Sequence, residues 1–149
     1  MFGGDRLIVP GAVSNYVKSA DGGWRRAEPL NYSRGFGLGG LFSTVDDLVA
    51  FDRALRDGKI LKPETVSRME QAFVLVDGEA APHGLGWATE ERRGTQFVHH
   101  GGGINGWRSS MVAIPDRNVF VVVLSNREEE RTPVGSLAMM VAARVAAMP

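Results

Sequence analysis

At 149 residues the chain has single-domain length and can bury a real core. Its 17 Lys and Arg balance 17 Asp and Glu, so nothing in its charge draws it to nucleic acid or an anionic membrane. Cysteine is absent, which excludes disulfides and thiol chemistry and leaves the compartment open.

The first residues, Met1-Phe2-Gly3-Gly4-Asp5-Arg6, lack the apolar core of a secretory signal. Residues 1–40 carry little periodicity and many turn signals: Pro10-Gly11, Asp21-Gly22-Gly23, then Gly35, Gly37, Gly39 and Gly40. They read as an irregular arm with one short extended pair, residues 14–18 and 23–27. An arm this long wraps something or lines a site. No internal repeat or low-complexity linker interrupts the chain, so residues 1–149 form one unit.

A helix follows. Ser43 is placed as its N-cap, with Asp46 three residues later in the dipole-favoured first turn. A cap is the stronger reading of Ser43; a nucleophile is the weaker. Val45, Leu48, Phe51 and Leu55 recur at helical spacing, and Gly58 sits where a C-terminal glycine belongs. A second, shorter helix starts at Pro63 and turns Val66 and Met69 inward.

From Gly84 the pattern changes to strands over residues 85–89, 96–100, 108–114 and 119–124, each bounded by turn residues. Arg92-Arg93-Gly94 and Pro115-Asp116-Arg117-Asn118 are short enough for antiparallel hairpins. Residues 119–124 are apolar throughout, which predicts a central strand with neighbours on both sides. A last helix is expected to cover one face of this sheet with Leu137, Met140, Val141, Arg144, Val145 and Met148. Arg144 interrupts it and it falls short of a bilayer span, so a soluble α+β protein is expected.

The chemistry concentrates in Val98-His99-His100-Gly101-Gly102-Gly103-Ile104-Asn105-Gly106-Trp107. A run of glycine lets a ligand or another backbone approach bare N–H and C=O groups, and histidine exchanges protons near neutral pH. The plain alternative is a glycine-rich hairpin with two incidental histidines. Three mechanisms could use the stretch. A metal site is disfavoured, because His83, His99 and His100 are the only histidines and strand neighbours point to opposite faces. A lipase-type loop is spelled by His100-Gly101-Gly102-Gly103, yet no G-x-S-x-G elbow exists in the chain. The third is the cleft-lining strand of serine β-lactamases and penicillin-binding proteins, where K-T-G or H-x-G faces substrate.

The rest of the sequence supports the third. Gly39-Gly40-Leu41-Phe42-Ser43-Thr44-Val45-Asp46-Asp47-Leu48, Gly84-Leu85-Gly86-Trp87, His100-Gly101-Gly102 with its tip Asn105-Gly106-Trp107, and Ile114-Pro115-Asp116 to Leu124-Ser125-Asn126 stand in order. In these blocks, over residues 30–148, the chain resembles the C-terminal part of the class C β-lactamase-related serine hydrolases, a family that includes esterases and D-amino-acid peptidases. Departures are equally plain. No serine has lysine three residues later, so the S-x-x-K nucleophile motif is missing. Tyr16-Val17-Lys18 and Tyr32-Ser33-Arg34 both fail the Y-x-N pattern. Both motifs are expected upstream of Met1.

The resemblance therefore implies part of a β-lactamase-like fold: an antiparallel sheet with a C-terminal helix, without the N-terminal strands and nucleophile helix. It implies hydrolysis of a small-molecule amide, ester or β-lactam through an acyl-enzyme, with no cofactor and no metal. His100 takes the place of the family's Lys/His residue, and the Gly103 N–H that of one oxyanion donor. Gly101, Gly102, Asn105 and Asn126 are the expected substrate-binding positions, although Asn126 equally ends a strand. His99 reads as a core or surface residue. Alone, the chain is expected to be inactive. The competing reading is a non-catalytic, self-associating domain. Expected partners are a second copy or a complementing N-terminal half, with no nucleic acid and no membrane.

Overall fold

In the computed structural model, which describes residues 10–28, 37, 39–128 and 133–148, the arm first pairs with itself. Strands β1 (Tyr16–Lys18) and β2 (Trp24–Arg26) form an antiparallel ribbon, with Asp21 accepting from the Gly23 N–H at 3.0 Å in the turn. The tract before Pro10, and Tyr32, Ser33, Arg34 and Gly35, lie outside the described residues.

Helix α1 (Val45–Arg56) is capped by Thr44, not Ser43: the Thr44 hydroxyl accepts from the Asp47 N–H at 3.1 Å. Adjacent hydroxyl residues offer equivalent caps to the sequence, and the helix register selects the second. Gly58 follows with φ 70°, the left-handed stop expected there. The inward face differs from its expected list. Leu55 is buried, but Val45 and Phe51 are exposed and Asp52 takes an inner position at 7% exposure. Its carboxylate is matched by Arg56, 3.0 Å away, which also reaches Glu70 at 3.3 Å just past helix α2 (Pro63–Met69). Burial pushes the Glu70 carboxyl above its ordinary range, with Arg56 pulling the other way.

Four strands form the sheet in the order β3-β4-β5-β6, all antiparallel. Strand β3 (Ala88–Arg92) joins β4 (Thr95–Ile104) through Arg93-Gly94, and β4 joins β5 (Trp107–Ile114) through Asn105-Gly106. All four turn residues have positive φ, between 41° and 86°, the tight-turn geometry whose twist matches paired strands. A 3-10 turn at Pro115–Arg117 leads into β6 (Val119–Ser125). The β4 strand is longer than its apolar run because the glycines continue it. Gly101, Gly102 and Gly103 pair with Ser110, Ser109 and Arg108.

Helix α3 (Val134–Ala146) packs on one sheet face over β5 and β6. Phe97, Val112 and Ile114 meet Ala138 and Ala142 there, with Val119, Val121 and Val123 alongside. The expected inward stripe is therefore wrong. Val134, Ala138 and Ala142 face the sheet, while Leu137, Met140, Val141, Val145 and Met148 are exposed. Small residues spaced four apart let the helix approach the strands closely, and an all-round apolar helix hides which side is inner. Nor is β6 central among the described residues: it pairs with β5 alone. Its unbroken apolar run arises from helix α1 approaching it in addition to α3.

Candidate active site

The histidine–glycine stretch lies where β4 outruns its neighbour. Strand β3 begins at Ala88, opposite His99, so residues 100–104 have β5 on one side and no strand on the other among the described residues. Along β4, side chains alternate between faces. His100 and Gly102 share one face, with Met111 and Ser109 as their β5 partners. The His100 side is exposed, and a Cβ on Gly102 would stand 3.1 Å from the Ser109 hydroxyl. The three glycines do not serve positive φ, which none of them has; they leave the strand surface open.

His99 and Gly103 belong to the opposite face, beneath α3. Glu90 lies 3.9 Å from the His99 ring and is itself held by Arg92 at 2.8 Å. Burial lowers the His99 pKa, with the Glu90 carboxylate opposing, so this imidazole is uncharged at neutral pH. A shallow cleft of about 540 Å³ opens here, lined by Glu90, His99, Ser110, Ser136 and Met139. It is separate from the His100 face. Gly103 pairs with Arg108, whose side chain would stand 3.0 Å from a Cβ at that glycine.

The Gly84-Leu85-Gly86-Trp87 block sits beside His100. The Leu85 N–H donates to the Met69 carbonyl at 2.9 Å, and the Gly84 N–H to the Trp87 carbonyl at 2.7 Å. A Cβ on Gly84 would fall 2.0 Å from the Met69 oxygen, so only glycine lets this turn seat on the end of α2. Gly86 then takes φ 79°. The result is Trp87 edge-to-face with His100, ring centres 6.5 Å apart and planes at 90°. Sequence reasoning did not bring these two together. The signal was present, since the two-residue turn at Arg93-Gly94 pairs Ala88 with His99 and sets Trp87 opposite His100.

Asn105 and Asn126 converge on a different object, the arm. The Asn126 side-chain amide donates to the Ser14 carbonyl at 2.8 Å, and the Asn126 main-chain carbonyl accepts from the Tyr16 N–H at 2.8 Å. The Asn105 side-chain amide donates to the Glu28 carbonyl, and the Asn105 main-chain carbonyl accepts from the Asn15 side-chain amide. Gly106 packs directly under Tyr16. His100, Gly101, Gly102 and Gly103 thus follow one another on β4, while the two asparagines clamp residues 14–28 at its tip.

Comparison with known proteins agrees with this architecture. The beta-lactamase family model matches residues 2–145. A protein named D-aminopeptidase from Gluconobacter oxydans is 28% identical over 118 residues, 79% of this chain and 22% of that protein. One of the same name from Brucella ovis is 27% identical over 114 residues, 76% of this chain and again 22% of the relative. The chain thus spans about a fifth of the length of these curated relatives. With an antiparallel sheet backed by a C-terminal helix and a family match across nearly its whole length, the chain belongs to the beta-lactamase family of serine hydrolases.

Proposed function

We propose that the chain supplies one wall of an active site that cleaves amide, ester or β-lactam bonds through an acyl-enzyme. The observation that carries this reading is the exposed His100 on the part of β4 that outruns β3, beside a strand stripped of side chains. His100 moves a proton or meets a substrate carboxylate. The Gly103 N–H is one oxyanion donor, the other coming from the nucleophile's own backbone. Gly101 and Gly102 give substrate access to the strand. Asn105 and Asn126 bear on substrate through the arm they hold.

No S-x-x-K exists among the 149 residues, so the nucleophile and its lysine come from outside them. The relatives' name favours a peptide amide with a D-residue at its amino end. The test uses nitrocefin, a p-nitrophenyl ester and D-alanine p-nitroanilide. The 149-residue chain alone should give background rates and no fluorophosphonate labelling. Joined to a polypeptide bearing S-x-x-K, it should turn over, and His100→Ala should then cost about 10²–10⁴ in rate. Labelling of Ser109 or Ser110 in the chain alone, or wild-type rates from His100→Ala, would sink the reading.

A second reading, a non-catalytic self-associating domain, is favoured by the open β6 edge. Under either reading the partner is a second copy or a complementing N-terminal half.

A further inference from the structure

The geometry points to Trp87 as a positioning residue for His100. Its functional meaning rests on the proposed role of His100, while its structural content stands alone. An exposed histidine on a strand whose next three residues are glycine has no side chain at the following position of its own face, Gly102, and no strand on its outer side among the described residues. Its ring would sample several rotamers, and a proton-transfer group must hold one geometry to act. Trp87 supplies the missing wall. The indole meets the imidazole at 90° with centres 6.5 Å apart, inside the range in which aromatic pairs attract.

Trp87 is itself fixed from behind. The Gly84 turn is pinned to the last residue of α2 through the Leu85–Met69 hydrogen bond and the absence of a Cβ at Gly84. The half-buried indole leads straight into β3, whose first residue pairs with His99. So the Gly-Leu-Gly-Trp block is a bracket that anchors on a helix end and presents one aromatic ring to one histidine.

Three histidines, His83, His99 and His100, make nuclear magnetic resonance of the whole chain a direct test. Trp87→Leu keeps apolar bulk and removes the ring. It should shift the His100 Hδ2 and Hε1 signals and average its Hα–Hβ couplings, reducing the preferred rotamer's population ratio by about 2- to 10-fold. His99, on the other face, should keep its signals, which a general loosening of the sheet would not allow. Trp87→Phe should retain the couplings in part. Unchanged His100 signals and couplings in a folded Trp87→Leu protein would overturn the inference. If that variant does not fold, Trp87→Phe decides: its smaller ring must move the His100 signals, and their constancy would overturn it equally. The assay of His100→Ala in an active, longer enzyme is independent. A neutral result there removes the hydrolytic role of His100 and leaves the Trp87 result standing.

Discussion

A side chain at position 106 has nowhere to go. A Cβ there would lie 2.6 Å from the Tyr16 carbonyl oxygen, and φ is 86°, which only glycine adopts without strain. Gly106→Ala should therefore lift the arm off the β4–β5 turn, at a cost of about 1–3 kcal/mol. Faster tryptic cleavage at Lys18, Arg25 and Arg26 would report it; unchanged cleavage would show that the arm is held elsewhere. His99 gives a second expectation at this scale. Its folded pKa is lowered by burial, so as pH falls below the ordinary 6.5 the unfolded chain takes up a proton before the native state does. The stability tied to a neutral His99 is complete above that value and is lost as pH falls toward the lowered one. Thermal midpoints between about pH 5 and pH 7.5 should decline on the acid side, and His99→Gln should flatten that decline. Equal slopes would assign the acid sensitivity to other groups.

Elements were legible in the sequence where a local rule acts. The turn at Arg93-Gly94, the start of α2 at Pro63 and the left-handed Gly58 all follow from a few adjacent residues. The inward face of α3 was not legible, because apolar residues occur all around it and only contact with Phe97, Val112 and Ile114 selects the alanine side. The same limit hid the tie between Asn126 and Ser14, which are 112 residues apart. At the site, the strand bearing His100 was readable from its apolar run, but not its continuation through the glycines or the arm that occupies Asn105 and Asn126. The α3 interface makes a sharp contrast. Ala138→Leu overfills a fully buried contact and should destabilise by about 1–3 kcal/mol. Met140→Ala, at 59% exposure, should stay within about 0.5 kcal/mol. Chemical denaturation separates the two, and equal effects would mean that α3 packs through its other side.

For the whole molecule, the β6 edge dominates. The arm touches only its far end, where Tyr16 pairs in parallel with Arg127, and leaves Val119–Ser125 without a second strand among the described residues. That segment carries no charge and no proline, the devices that keep natural edges apart. The isolated chain should associate at micromolar concentration through this edge. Leu124→Lys, at a 39% exposed position, should shift it toward monomer in sedimentation velocity. A monomer at every concentration would refute the expectation. The outward side of α3 has a thermal counterpart. Leu137, Met140, Val141, Val145 and Met148 keep apolar area in water that a covering surface would remove. Whatever covers that side must bind with a negative heat-capacity change, so calorimetric binding enthalpy should grow more exothermic with temperature. A partner that pairs only with the strand edge buries less apolar side-chain area there and should give a shallower slope.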